Sequence, residues 1–213
     1  MITLQRRQEA KREQIRTAAE QLFLERGFGE TSMDAVTAAA GVSKQTLYRY
    51  YETKAALFAD VLGQLIAEPA PLVNNPLTGS HLRTTATLKT LLTSLSQDYL
   101  ARVLEPRQLA LLRVVIAEGN RFPELIESFR STLPAVGGAI FIAALERGRA
   151  AGLIGDWVEP RTAARAFAGL LMMFILRDGL LSATPKMPTR AQVAEMVQFF
   201  VDGVGVRSGR RDA

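Results

Sequence analysis

The sequence predicts an all-α protein with a small N-terminal three-helix domain and a larger helical-bundle domain, about nine to ten helices in all. Apolar residues recur at spacings of three and four along most of the chain, and alternating apolar and polar runs are scarce. Prolines and glycines divide the chain into segments of helical length. Hydrophobic residues make up 48% and charged residues 22% of the 213 residues, which is typical of a folded globular protein.

The first four helices follow from caps and breakers. A helix over 8–26 carries an apolar face and ends at Gly27, a typical C-terminal glycine. Thr31 or Ser32 can cap a short helix over 33–40, Ser43 can cap one over 44–51, and Thr53 can cap one over 54–67.

The remaining helices lie beyond a cluster of breakers that includes Pro69, Pro71 and Pro76. They are predicted at 82–104, 106–117, 122–130, 133–151, 160–182 and 189–204. We therefore expect two domains, one over 8–67 and one over 80–205, followed by a frayed tail over 206–213.

Composition excludes several classes of function. The chain has no cysteine, so disulfides, thiol catalysis and cysteine zinc sites are excluded, and its single histidine, His81, excludes a multi-histidine metal site within one chain. The longest apolar run, 166–176, is well short of the roughly 20 residues that span a bilayer. No catalytic motif, metal cluster or nucleotide-binding loop stands out. We expect a cytoplasmic protein that is not an enzyme, with no catalytic residues, no metal, no cofactor and no membrane partner.

Two short helices joined by a three-residue turn predict a helix-turn-helix over about 33–52. Gly41 can adopt the positive φ that a sharp turn needs, and Val42 can plug the space between the helices. The outer face of the second helix carries hydrogen-bond donors and no acid, as a reader of the DNA major groove requires: Lys44, Gln45, Thr46, Tyr48 and Arg49. A net charge of +5 permits nucleic-acid binding without demonstrating it.

The order of residues over about 8–60 resembles the DNA-binding domain of the TetR family of bacterial regulators. The resemblance is carried by Ile15, Ala18-Ala19, Leu22-Phe23, Gly27-Phe28, Thr31-Ser32-Met33, the run from Ala39 to Tyr51, Lys54 and Leu57-Phe58. It implies phosphate binding by Thr31 or Ser32 and by Lys54 with the first turn of its helix. It also implies base and phosphate contacts by Ser43, Lys44, Gln45 and Thr46, with Gln45 the best candidate for reading a base.

Two tyrosines in the same stretch have open roles. The resemblance implies that Tyr48 and Tyr50 flank the DNA backbone. Tyr50 could equally close the small core of the domain. Four cations near the N-terminus, Arg6, Arg7, Lys11 and Arg12, could add phosphate contacts or remain solvated.

The C-terminal part resembles the helical effector domain of the same family, in the branch called AcrR- or AefR-like. The resemblance is carried by the run Leu112 to Glu118 and by Arg121-Phe122-Pro123-Glu124-Leu125. It implies a small-molecule effector of unknown identity. Candidates for the effector pocket are Tyr99, Arg113, Phe122, Phe141, Met172 and Met173, with Glu118 as a further polar candidate, although such aromatic and Met residues could be plain core.

A homodimer is predicted independently of the resemblance. The helix over 160–182 is apolar on more than one face, and a domain this small can cover only one of them. This helix, the last helix with its apolar stripe, and the same two helices of a second copy would form a four-helix bundle about a twofold axis. The predicted interface residues are Phe167, Leu170, Leu171, Phe174, Val193, Met196, Val197 and Phe200. The alternative is that the helix is the centre of a monomeric bundle.

These features together predict a DNA-binding transcriptional regulator, most simply a repressor that a small molecule releases from a palindromic DNA operator. The alternative is a helical adaptor that acts through protein–protein contacts. An enzyme is the least favoured reading.

Overall fold

Ten α-helices, one π-helical segment and one isolated antiparallel bridge make up the regular structure that a computed structural model describes for residues 2–67, 82–133 and 138–205. The all-α fold predicted from the sequence is confirmed. The helices are α1 (Ile2–Glu30), α2 (Met33–Ala39), α3 (Lys44–Tyr50), α4 (Lys54–Ala67), α5 (Thr85–Val103), α6 (Pro106–Glu118), α7 (Pro123–Leu133), α8 (Ala139–Ala150), α9 (Pro160–Phe174) and α10 (Arg190–Val204). The predicted breaker cluster, His81 and the tail over 206–213 lie outside the described residues.

The helix ends are set by the residues that the sequence suggested. Ser32 and Ser43 are the N-caps of α2 and α3, and the Thr53 hydroxyl accepts a bond from the Ala56 amide at the start of α4. Gly27 breaks the regular φ/ψ of α1 at φ +77°, so the residues after it turn back towards the apolar face of that helix. The sequence predicted one helix over 160–182, but the structure has α9 followed by a π-helical segment, Ile175–Leu180. A π-helical segment leaves no periodicity of its own in the sequence, so it could not be predicted.

The chain forms two compact units. The first unit contains α1–α4 together with α6 and α7, and the second contains α5 and α8–α10. The sequence predicted a single domain boundary, between a domain over 8–67 and one over 80–205. In the structure α6 packs along α1, so residues 106–133 group with the N-terminal helices.

Aromatic side chains form the core of each unit. In the first unit the rings of Phe23, Phe28 and Phe58 lie within 5.9 Å of one another, centroid to centroid. In the second unit, a row of rings runs from Tyr99 through Phe141, Phe167 and Phe200 at centroid distances of 4.8 to 5.8 Å. Stacked and edge-to-face ring pairs stabilise a core beyond the area they bury.

In the described part of the chain, no helix is both long enough and apolar enough to cross a bilayer.

Candidate nucleic-acid interface

The turn between α2 and α3 has a defined geometry. Gly41 has φ +58°, a conformation that favours glycine. The Val42 amide donates to the carbonyl of Thr37 at 3.2 Å. The side-chain amide of Gln14 donates to the carbonyl of Ala40 at 2.7 Å, which ties the turn to α1. These bonds hold α3 in a fixed orientation on the first unit.

Helix α3 presents a polar face to solvent. Leu47 is fully buried and anchors the helix, whereas Lys44, Gln45 and Arg49 are exposed and Tyr48 is 51% exposed. Ser43 accepts a bond from the Thr46 amide at 3.1 Å, and the two hydroxyl oxygens lie 2.8 Å apart. The exposed face therefore carries amide, hydroxyl and guanidinium donors, the groups that read base edges and phosphates in a major groove.

Lys44 has a partner in this conformation. Its ammonium lies 2.8 Å from a carboxylate oxygen of Asp34, and both side chains are largely exposed. The bond to Asp34 raises the pKa of Lys44. An exposed pair of this kind is weak, so a phosphate can take the place of the carboxylate.

The structure favours Ser32 over Thr31 as the hydroxyl at the start of α2. Thr31 is only 1% exposed, and its hydroxyl donates to the carbonyls of Leu22 and Gly27. Ser32 is exposed and caps α2 through the Ala35 amide at 3.1 Å. Thr31 therefore holds the end of α1 and is not presented to a phosphate.

Lys54 is also turned inward in this conformation, whereas the expectation was that its ammonium faces a phosphate. The Nζ atom donates to the carbonyls of Phe28 at 2.6 Å, Gly29 at 3.2 Å and Thr31 at 2.8 Å. It lies 4.4 Å from the centroid of the Phe28 ring. Burial lowers the pKa of Lys54. In this conformation the ammonium holds the segment between α1 and α2 in place.

A carboxylate from α6 holds the same segment from another side. Glu118 accepts bonds from the amide of Phe28 at 2.8 Å and from the amide of Gly29 at 2.6 Å. Gly27 has φ +77°, which favours glycine, and a Cβ atom there would lie 2.2 Å from the Glu118 carboxylate and displace it. The ring of Phe122 packs edge-on against Phe28 at 5.3 Å. Glu118 and Phe122 were expected in an effector pocket, but both instead fix the entry into α2.

Arg12 belongs to a structural network. Its guanidinium makes two bonds to the carboxylate of Asp60, at 2.9 and 3.1 Å, and one to the hydroxyl of Tyr51 at 3.3 Å. The Tyr51 hydroxyl also donates to Asp60. Burial and the bond to Asp60 raise the pKa of Tyr51 well above its usual range. This network joins α1, the end of α3 and α4, so Arg12 is committed to holding the three helices together.

Tyr50 lies at the boundary between core and surface. It is half-buried, and its hydroxyl donates to the carbonyl of Gln8 at 3.3 Å. The guanidinium of Arg49 lies 5.3 Å from the centroid of its ring. Tyr50 therefore links the end of α3 to α1 and positions Arg49 beside that link.

The residues predicted for the effector pocket are divided between the two units. Tyr99 and Phe141 pack edge to face in the second unit, at 5.8 Å. Arg113 is exposed in the first unit, and Met172 and Met173 are 44% and 59% exposed on α9. Periodicity in the sequence shows which positions are apolar but not which of them share a cavity.

The predicted dimer interface is corrected for five of its eight residues. Each of the five packs inside the second unit with at most 6% exposure and is therefore unavailable to a second copy: Phe167, Leu171, Val193, Val197 and Phe200. Leu170, Phe174 and Met196 are half-buried. The large apolar side chains that are exposed on the same helices are instead Met172 at 44%, Met173 at 59% and Phe199 at 75%.

One polar group in the second unit was missed by sequence reasoning. The side-chain nitrogen of Gln97, on α5, is buried without a hydrogen-bond partner among the described residues. Most buried polar groups in proteins make a hydrogen bond, so the side-chain N–H group of Gln97 is available to donate one. The sequence pattern that could have indicated this buried amide is a glutamine between Leu95 and Leu100 on a mainly apolar helix.

Two families of known domains match this chain. Residues 15–61 match the family described as bacterial regulatory proteins, tetR family. Residues 90–203, more than half of the chain, match the family described as AefR-like transcriptional repressor, C-terminal domain. The two matches follow each other in the order predicted from the sequence.

Individual relatives agree with these matches. The chain is 30% identical over 125 residues to the HTH-type transcriptional regulator YdeS of Bacillus subtilis, covering 59% of this chain and 58% of the relative. It is 38% identical over 53 residues to the HTH-type transcriptional repressor BepR of Brucella suis, covering 25% of each. The aligned parts thus span about three fifths and one quarter of these relatives. The solved structure of the flavonoid-responsive regulator FrrA is similar with a TM-score of 0.65 and 28% identity, covering 94% of this chain and all of that one.

Proposed function

Because this chain belongs to the TetR family of transcriptional regulators, we propose that it is a repressor that inserts α3 into the major groove of an operator. The observation that carries the proposal is the exposed face of α3, which presents donors and no acid while Leu47 anchors the helix from behind. The repressor BepR is 38% identical to this chain over 53 residues, which supports repression as the sign of regulation. The protein would act on chromosomal DNA in the cytoplasm.

Each exposed group has a proposed role. Gln45 reads a base edge, since a side-chain amide can bond two atoms of an adenine. Ser32, Ser43 and Thr46 offer hydroxyls to phosphates, and Lys44 leaves Asp34 to do the same. Tyr48 and Arg49 contact the backbone or bases beside them, and Tyr50 contributes mainly by positioning Arg49.

We propose that a homodimer forms through the exposed apolar face of α9 and α10. Met173 and Phe199 are its largest exposed side chains. A Cβ atom at Gly169 or Gly203 would meet nothing within 4 Å, so a partner helix can approach both positions closely. A twofold dimer would present two α3 helices to two half-sites related by an inverted repeat.

We propose that the second unit binds the effector. The unused donor of Gln97 and the hydroxyl of Tyr99 are the polar candidates there, and an acceptor atom on a ligand would satisfy Gln97. The regulator FrrA is described as flavonoid-responsive, which favours a largely apolar aromatic ligand for this chain too. An effector that prefers the DNA-free conformation by about 3 kcal/mol would reduce occupancy about a hundredfold.

The test is a gel shift with the DNA that flanks the gene for this protein. We expect the wild-type protein to retard a fragment of that DNA, and Gln45→Ala and Tyr48→Ala to weaken the shift. Gln21→Ala, an exposed glutamine on α1 outside both proposed surfaces, is the matched control and should leave it unchanged. Solvent-extracted metabolites should release the DNA. A protein adaptor would retard no fragment and would be indifferent to both α3 substitutions.

A further inference from the structure

A groove in the first unit lies between the N-terminal turns of α1 and the C-terminal end of α3. It encloses about 530 Å³, and its described lining consists of Arg7, Gln8, Ala10, Lys11, Gln14, Arg49 and Tyr50. Three of these residues are cations, and no acidic residue is among them. Helix α1 begins at Ile2, six residues before the start predicted from the sequence, and this early start places Arg7 on a helix.

The groove has an ordered construction. Arg7, Lys11 and Gln14 follow one another at the spacing of one helix face, so all three line the groove from α1. The bond from the Tyr50 hydroxyl to the Gln8 carbonyl joins the two walls at 3.3 Å. The Tyr50 ring supports the guanidinium of Arg49. The cations are therefore held around one space by the packing of two helices.

The cations that line the groove have no ion-pair partner among the described residues, whereas other cations of the same unit are bound to carboxylates or carbonyls. Lys44 is paired with Asp34, Arg12 with Asp60 and Lys54 with three carbonyls. Within the described residues, Arg7, Lys11 and Arg49 make no ion pair. Lys11 donates only to the neutral amide of Gln14, at 3.2 Å.

The position of the groove connects it to the base-reading face. Gln45 and Arg49 are four residues apart and share one exposed side of α3, so the groove continues the face that carries Gln45. A helix of seven residues is about 10 Å long, close to the roughly 12 Å width of a major groove. When one end of α3 reads bases, its other end lies near the phosphates that border the major groove of the DNA.

We propose that this groove binds backbone phosphates of the DNA, with Arg7 and Lys11 contributing charges that lie outside the helix-turn-helix. The proposal rests on the proposed function, because it extends the contacts of the same protein with the same duplex. It assigns phosphate binding to α1, in place of the ammonium of Lys54, which is turned inward. Arg7 and Lys11 contribute sequence-independent affinity, while Gln45 contributes the choice of sequence.

The test measures affinity for a duplex of arbitrary sequence, roughly 32 base pairs or three helical turns long. Fluorescence anisotropy is recorded over a series of salt concentrations for the wild-type protein and for the double variant Arg7→Ala with Lys11→Ala. Each phosphate contact that is lost lowers the slope of log affinity against log salt by about 0.9, so we expect a decrease of about 2 per protomer. Between about 50 and 200 mM salt, the deficit of the variant should then shrink about twelvefold for each bound protomer, or about 150-fold for a dimer.

The matched control removes two exposed cations from the second unit, Arg149→Ala with Arg190→Ala. It changes the net charge equally and should keep the wild-type slope. Circular dichroism should show the same helical content for all three proteins, because none of the substituted side chains is buried and alanine is the best helix former. If the wild-type protein binds the duplex and the groove variant keeps the same slope as the control, the groove is not a phosphate site and the proposed function survives. If the wild-type protein binds no duplex at any salt concentration, the proposed function fails, and the groove assignment fails with it.

Discussion

The bonds from Glu118 to the segment between α1 and α2 give a sharp prediction for stability. The carboxylate accepts from the Phe28 and Gly29 amides at 2.8 and 2.6 Å, and Glu118→Ala leaves both amides without this acceptor. A hydrogen bond to a charged group contributes about 1.5 to 3 kcal/mol. Because Glu118 is only half-buried, we take the lower value for each bond and expect a loss of about 3 kcal/mol.

Urea unfolding followed by circular dichroism measures this loss. With a slope of about 2 kcal/mol per molar urea, the midpoint should fall by about 1.5 M. Glu118→Gln keeps one acceptor oxygen and should lose about half as much. Glu127→Ala, at an exposed position on α7, is the control and should change stability by less than about 0.5 kcal/mol. Equal midpoints for Glu118→Ala and Glu127→Ala would show that the two bonds of Glu118 contribute little to stability.

Three further substitutions test other parts of the structure. Lys54→Met removes the donor to three carbonyls, and we expect urea unfolding to show a loss of about 2 kcal/mol, because burial already penalises the ammonium. Because the pKa of Tyr51 is raised, the folded state holds the phenol proton more tightly than the unfolded chain does. The stability that protonated Tyr51 contributes is therefore complete below about pH 10 and is lost as the pH rises further. Tyr51→Phe should therefore flatten the decline of the melting temperature above about pH 10, and an unchanged decline would show that another group causes it. Phe199→Asp places a charge on the exposed face of α10, and light scattering should report a monomer with unchanged helical content where the wild-type protein is a dimer.

Local sequence signals predicted the helices and their caps well. Ser43 and Thr53 begin helices as expected, and Gly41 has the positive φ that the turn requires. Caps, glycines and apolar periods act over a few residues, so they can be read without knowledge of the tertiary structure. The same holds for the exposed face of α3, because buried Leu47 fixes which side of that helix turns outward.

The orientation of long side chains could not be predicted in the same way. The sequence shows that Lys54 stands in the first turn of α4, but its ammonium turns inward only because three carbonyls of a distant segment meet there. Glu118 reaches the Phe28 amide across 90 positions of the chain. Such contacts depend on how α6 packs along α1, which no local pattern specifies.

The face of α9 that turns inward was also undetermined by the sequence. Phe167 and Leu171 lie on one apolar side of the helix, and Met173 lies on another. With apolar residues on both sides, the period alone permits either packing. The row of rings from Phe141 to Phe200 selects the side with Phe167 and leaves Met173 exposed.

Selection of binding sites from a pool of random duplexes tests the central claim, that the exposed face of α3 reads DNA as part of a twofold dimer. The wild-type protein should enrich an inverted repeat whose half-sites are centred one helical turn, about 34–36 Å, or a multiple of it apart. Gln45→Ala should relax the preference at one position in each half-site. Absence of any enriched sequence, or the same sequence enriched with the same affinity by Gln45→Ala, would contradict this claim.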